Sequence, residues 1–129
     1  MVDKKVYMDP DSKGGLSVFA RAGIAESSVN RFGRYLSLGA VYTGPFRGRE
    51  DDQVGLGLAI AINTDDYRTS LDLQGTPSTS SEKNVEFSYL ARLSLRASVQ
   101  FDVQYIIDPD TNPVLDNALV GIMRWTISL

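Results

Sequence analysis

The run from Gln53 to Asn63 constrains this chain more than any other. Val54, Leu56, Leu58, Ile60 and Ile62 occupy every second position, and Gln53, Gly55, Gly57, Ala59, Ala61 and Asn63 fill the places between. Side chains two residues apart share one face of a strand, so the run predicts a β-strand with one large apolar face and one face of small residues. Periodicity alone leaves open which face is inside. A soluble sandwich hides its large apolar side chains and shows charge, whereas a wide barrel in lipid turns its apolar face outward and its small or polar face toward water. Glycines on the second face favour the wide barrel, because a strand exposed to solvent ordinarily carries Lys, Glu or Thr there.

The same alternation recurs along the chain. A short strand over Lys4 to Met8 is cut off by a turn through Asp9, Pro10, Asp11, Ser12, Lys13, Gly14 and Gly15. Leu16 to Ala25 sets Leu16, Val18, Ala20, Ala22 and Ile24 against Ser17, Phe19, Arg21 and Gly23, and Tyr35 to Thr43 sets Leu36, Leu38, Ala40 and Tyr42 against Ser37, Gly39 and Thr43. Val85 to Leu95 sets Val85, Phe87, Tyr89, Ala91 and Leu93 against Glu86, Ser88, Arg92 and Ser94. Ser98 to Ile107 sets Val99, Phe101, Val103, Tyr105 and Ile107 against Gln100, Asp102 and Gln104. The final strand, Asn117 to Leu129, places Leu119, Met123, Trp125, Ile127 and Leu129 together, opposite Arg124, Thr126 and Ser128. A chain ending on such a strand resembles the terminal strand of a bacterial outer-membrane barrel, although Leu129 stands where an aromatic residue is usual.

Composition narrows function by exclusion. The 129 residues suit one domain, and 43% apolar with 22% charged residues suit an ordered one. A net charge of -3 with Lys and Arg scattered rather than clustered offers no surface for nucleic acid. The absence of Cys and His removes zinc fingers, histidine-activated nucleophiles and histidine-ligated haem, and no cofactor is expected. A carboxylate-only glycosidase using Glu86 and Asp102 has no supporting motif. Asp108, Asp110 and Asn112 sit at positions one, three and five of a calcium loop. Pro113 replaces its glycine, and Leu119 replaces its bidentate Glu, so no metal is expected. No run approaches the roughly 18 apolar residues of a membrane helix, and Met1 to Pro10 lacks the apolar core of a secretory signal. Any crossing of a membrane is made by strands.

Loop lengths agree with that reading. If Leu129 ends at the periplasmic side, the stretch Thr64 to Lys83 and the loop Asp108 to Asn117 lie outside and the short turn near Arg96 and Ala97 lies inside, as outer-membrane barrels require. The turn Gly44 to Asp52 is long for an inner one.

The segments Gly15-Leu16-Ser17-Val18-Phe19-Ala20-Arg21, Val41-Tyr42-Thr43-Gly44-Pro45-Phe46 with Gly48-Arg49, and Asp51-Asp52-Gln53-Val54-Gly55-Leu56-Gly57 resemble the carbohydrate-selective porins, the OprB-like outer-membrane proteins of Gram-negative bacteria. So do Asp102-Val103-Gln104-Tyr105-Ile106-Ile107-Asp108-Pro109 and Asp116-Asn117-Ala118-Leu119-Val120, near the carboxy terminus. The resemblance implies a sixteen-stranded antiparallel transmembrane β-barrel of up-and-down hairpins, through which sugars diffuse passively across the outer membrane. About seven to eight strands are available here, so the chain corresponds to the carboxy-terminal portion of such a barrel. Residues 1-129 are then either a single barrel domain or a barrel segment. Its partners are membrane lipid, small sugars as permeants, and the remaining strands from a longer chain or further copies. The alternative is a small closed eight-stranded barrel, soluble or membrane-embedded and without sugar transport, completed by a weak strand at Tyr67 to Gln74.

For a channel, the polar faces supply the lining. Arg21, Glu86, Arg92, Gln100, Asp102, Gln104 and Arg124 are the inward candidates, because charged and amide groups can exchange hydrogen bonds with sugar hydroxyls. Tyr42, Tyr89, Tyr105 and Trp125 fall on the apolar faces, where interfacial girdles form, while Phe19 and Tyr35 have inward parity.

Overall fold

The computed structural model describes residues 2–8 and 14–128, with side-chain environments from residue 14 onward. The turn expected through Asp9 to Lys13, and Leu129, lie outside the described residues. Seven strands, β1 (Val2–Met8), β2 (Gly15–Ile24), β3 (Phe32–Thr43), β4 (Gln53–Asn63), β5 (Ser81–Arg92), β6 (Ala97–Ile107) and β7 (Ala118–Ile127), form one sheet. Every strand pairs antiparallel with its neighbours in sequence, giving a seven-stranded meander with β1 and β7 at its edges. No helix among the described residues is long and apolar enough to cross a membrane.

The stretch Thr64 to Lys83 differs from expectation. Instead of an open loop with a weak strand at Tyr67 to Gln74, it holds helix α1 (Asp65–Leu73) and the first residues of β5. Thr64 is the N-cap, its hydroxyl accepting the Tyr67 amide at 3.2 Å, and Asp65 and Asp66 sit at the positive end of the helix dipole. At the other end Gly75, at φ 68°, lets the chain leave. Its amide bonds to Asp72 O, and the Thr76 amide bonds to Leu71 O, a Schellman closure that needs a left-handed residue. This helix occupies the residues that an eighth strand would need, and the described sheet is left with two unpaired edges rather than closing as a small barrel.

The sheet has one set of connections longer than the other. Residues 25–31, 64–80 and 108–117 link strands at one end, the long-loop end, and residues 44–52 and 93–96 link them at the opposite, short-turn end. The 44–52 connection folds more tightly than its length suggests. Gly44, at φ 75°, donates to Asp52 O at 2.9 Å, and Arg49 N reaches Phe46 O at 3.1 Å across Gly48, at φ 80°. Two left-handed glycines thus turn nine positions into a small hairpin.

Burial is inverted relative to a soluble sheet. Ser37, Asn63, Ser81, Ser98 and Asp102 are buried, while Trp125 is 61% and Phe101 47% exposed. Only Ala91 and Val99 are buried among the hydrophobic residues described. A soluble fold cannot leave so continuous an apolar surface in water, since large exposed patches drive association; in hydrocarbon the same surface is the favoured one.

Candidate functional site

The polar face is assembled by register. Pairing aligns Phe19, Gly39, Gly57, Glu86, Gln104 and Val120 in one row across β2 to β7, and Ser17, Val41, Gly55, Ser88, Asp102 and Ile122 in another. A further row holds Leu90, Gln100 and Arg124. Residues paired across strands share a face, so Glu86, Gln100, Asp102, Gln104 and Arg124 come together over β5, β6 and β7. Arg21 lies on the same face in the row of Ser37, Ala59 and Asn84, and Arg92 sits opposite Ser98 at the short-turn end.

These side chains order one another. Gln104 Nε2 donates to Glu86 Oε2 at 2.5 Å, and Gln100 Nε2 donates to Asp102 Oδ1 at 2.7 Å. Each carboxylate keeps further acceptor capacity, so the pairs present a fixed array of charge and amide groups. The Arg21 guanidinium lies 5.6 Å from the Phe19 ring centroid, within cation–π range. Arg21, Phe19, Tyr35, Asn84 and Glu86 line a 230 Å³ depression, which unites the two inward aromatic residues with one cation and one carboxylate.

Two glycines of the polar strand faces have specific neighbours. A Cβ on Gly39 would lie 2.5 Å from the Phe19 ring and 2.8 Å from Leu56 O, and one on Gly55 would meet the Ser88 hydroxyl. Gly39 therefore lets Phe19 lie flat along the wall. Gly57 on the same face has only an ordinary contact, with Glu86 Cβ at 3.9 Å.

Two clusters were not visible in the sequence. At the short-turn end Asp52, 1% exposed, accepts hydrogen bonds from the Tyr89 hydroxyl, the Arg92 amide at 2.8 Å and Arg49 Nε at 2.7 Å. Burial alone would raise the pKa of this carboxyl, but the three donors outweigh it and hold it below the usual carboxylate range. The Asp52 carboxylate likewise raises the pKa of Arg49. At the long-loop end Arg31 donates to the Asp110 carboxylate and carbonyl and to Thr111 Oγ1 at 3.0 Å, and its guanidinium covers the Phe32 and Tyr67 rings at 4.8 and 5.1 Å. Thr111, 1% exposed, also accepts from Asn63 Nδ2 at 2.8 Å, and its carbonyl takes the Thr79 amide at 2.7 Å. The loop over 108–117 is thereby latched across β4 to the loop before β3. Asp108, Asp110 and Thr111 adopt φ of 54°, 58° and 50°, which the latch must hold in place. The residues that resembled a calcium loop are engaged in this way: Asp110 with Arg31, and Asp108 with Lys83 at 3.7 Å.

Two tyrosines of the apolar face are anchored at opposite ends. Tyr89 reaches Asp52 at the short turns, and the Tyr105 hydroxyl accepts from Asn117 Nδ2 at 3.0 Å beside the long loops.

An antiparallel meander with exposed apolar side chains on one face and an ordered polar array on the other is the wall of a transmembrane β-barrel. Over residues 1–129 the sequence matches the family described as carbohydrate-selective porin, OprB family, and the chain belongs to that family. It is 32% identical to Porin B of Pseudomonas aeruginosa over 131 aligned positions, covering 91% of this chain and 29% of that protein. It is also similar to the high-pH structure of OprB from Pseudomonas putida. That match has a TM-score of 0.85 at 25% identity, and covers 96% of this chain and 33% of that one. The chain thus spans about a third of the length of these relatives, and it is a protein of the Gram-negative outer membrane.

Proposed function

We propose that this chain forms the carboxy-terminal part of the wall of a water-filled channel for passive, sugar-selective diffusion. The observation that carries the reading is the inversion of the sheet, with polar residues buried and large apolar residues exposed. The remaining strands come from a longer chain or further copies, because a sheet edge in hydrocarbon leaves backbone groups without partners. Arg21, Glu86, Arg92, Gln100, Asp102, Gln104 and Arg124 then face the water column. A sugar loses hydration on entering a constriction, and a wall of amides, carboxylates and guanidinium groups replaces those hydrogen bonds one contact at a time. The depression bounded by Phe19, Arg21, Tyr35 and Glu86 offers an aromatic face as well as hydrogen-bonding groups. Passage breaks no bond, so the protein acts as a channel and not as an enzyme.

Liposome swelling with the complete porin tests this. Glu86→Ala and Arg21→Ala are expected to narrow the difference in flux between a hexose and an uncharged polyol of similar size, with the sugar recovered intact. Equal flux ratios in wild type and variants would remove these residues from the selective wall. Hydrolysed sugar would overturn the assignment as a channel.

A further inference from the structure

Among the described positions of β2 to β7, only two charged residues lie on the apolar face: Arg34 on β3 and Lys83 on β5. Both are cations and both are at the long-loop end. Arg34 pairs with Ile24 and Ile62, and Lys83 pairs with Ile60 and Ile107. Lys83 and Arg34 are two strands and one residue pair apart, which puts their Cα atoms roughly 12 Å from each other, within joint reach of one large head group. Below them the same face carries an apolar groove of 210 Å³ between Leu36, Leu38, Ile60, Val85 and Ile107, with Lys83 at its margin.

Neither cation is fully engaged. The Lys83 ammonium has one long ion pair, 3.7 Å to Asp108, and its side chain remains 46% exposed. The Arg34 side chain is exposed, with no ion pair or hydrogen-bond partner among the described residues. Arg34 also borders the hollow that Glu26, Asp65 and Asp66 line, and these three acidic residues belong to the loop and helix above the sheet, not to its lipid-facing side. Lipid meets the sheet, and long loops mark the outer side of the membrane. A charge on the lipid face is tolerated near the head groups, and the shared sign of these two identifies the head group as anionic.

We propose that Arg34 and Lys83 bind the phosphate groups of a phosphorylated glycolipid of the outer leaflet, with an acyl chain lying in the groove beneath Lys83. The inference rests on the placement of the sheet in the outer membrane and is independent of what the channel conducts.

The test uses the folded porin that contains this chain, in non-ionic detergent, incubated with diphosphoryl lipid A or its dephosphorylated form, with bound lipid counted by native mass spectrometry. The unaltered protein is expected to retain the diphosphoryl form preferentially. The double variant Arg34→Gln with Lys83→Gln is expected to bind it about tenfold more weakly, through loss of charge-assisted hydrogen bonds, while Lys83→Arg keeps it. Equal retention of the two lipids by the unaltered protein would overturn the proposal, leaving only an apolar groove. So would unchanged binding by the double variant, or displacement of the lipid by millimolar inorganic phosphate alone, which would mark a free-anion site. Sugar flux is expected to be the same in all variants, because both residues point away from the polar face.

Discussion

A single methyl group distinguishes the glycines of the polar face. Gly39→Ala places its Cβ against the Phe19 ring and the Leu56 carbonyl, and the carbonyl cannot move without β4. The expected loss is about 1–3 kcal/mol, the usual cost of overpacking, read as a lower urea midpoint for the folded barrel. Gly55→Ala has one close contact, the Ser88 hydroxyl, which can rotate, and Gly121→Ala, on the apolar face, meets nothing within 4 Å; both are expected to leave the midpoint unchanged. Asp52 makes a second prediction at this scale. Its folded pKa is depressed, so its contribution is fully present above the unfolded carboxylate value and is lost as pH falls through the lower folded value. Amide exchange at Arg92, corrected for intrinsic rates, is expected to accelerate in that acidic window. In Asp52→Asn the pH dependence disappears, and an unchanged acid profile would show that the carboxylate does not govern the turn. Of the partners of Asp52 only Arg49 is near it in sequence; Tyr89 and Arg92 are far along the chain and meet it only through the β4–β5 register.

The elements show why some of the architecture was legible and some was not. Gln53 to Asn63 was readable to the residue because both of its faces are uniform. β3 and β5 start earlier than their alternation suggested, at Phe32 and Ser81. There the strands rise toward the loops, and the outward positions become Arg34, Ser81 and Lys83 instead of large hydrophobic residues. Helix α1 was mistaken for a weak strand because Thr69, Leu71 and Leu73 alternate, although Thr64 as N-cap and Gly75 as terminator were present as local signals. Thr64→Ala is expected to weaken the helix by about 1 kcal/mol, visible as faster exchange in α1 and, through the lost bond to the Asn30 carbonyl, in the loop before β3. The latch at the long-loop end has no local signature, because Arg31, Asn63 and Thr111 are brought together only by the sheet. Arg31→Ala removes the charged donor and leaves Thr111 and Asp110 without it, at a cost of about 1–3 kcal/mol. Proteolysis within residues 108–117 is expected to quicken while the strands stay protected. Cleavage at the wild-type rate would show that the loop holds its shape without Arg31.

At the scale of the whole molecule, the two faces predict opposite tolerance to charge. Leu58 lies mid-strand on the apolar face, paired with Leu38 and Val85, and Asn84 lies on the polar face opposite Ala59. Leu58→Arg is expected to destabilise the membrane-embedded barrel by about 2–4 kcal/mol, and Asn84→Arg to stay within about 0.5 kcal/mol. Equal losses would mean that both faces meet the same medium. The candidate lining followed from parity alone, and register then supplied what parity could not. It resolved scattered polar residues into the cross-strand Glu86–Gln104 pair and the depression around Arg21.

Because each strand bonds only to the strands before and after it in sequence, the fold contains no contact that fixes its total length. Removing an adjacent pair such as β4 and β5 would bring β3 beside β6 in the same antiparallel sense, with outward residues still outward. Duplicating such a pair would widen the ring by the same rule. Barrel diameter in proteins of this design is therefore a quantity that gene duplication and deletion can adjust in steps of one hairpin, with every retained strand keeping its inward and outward faces.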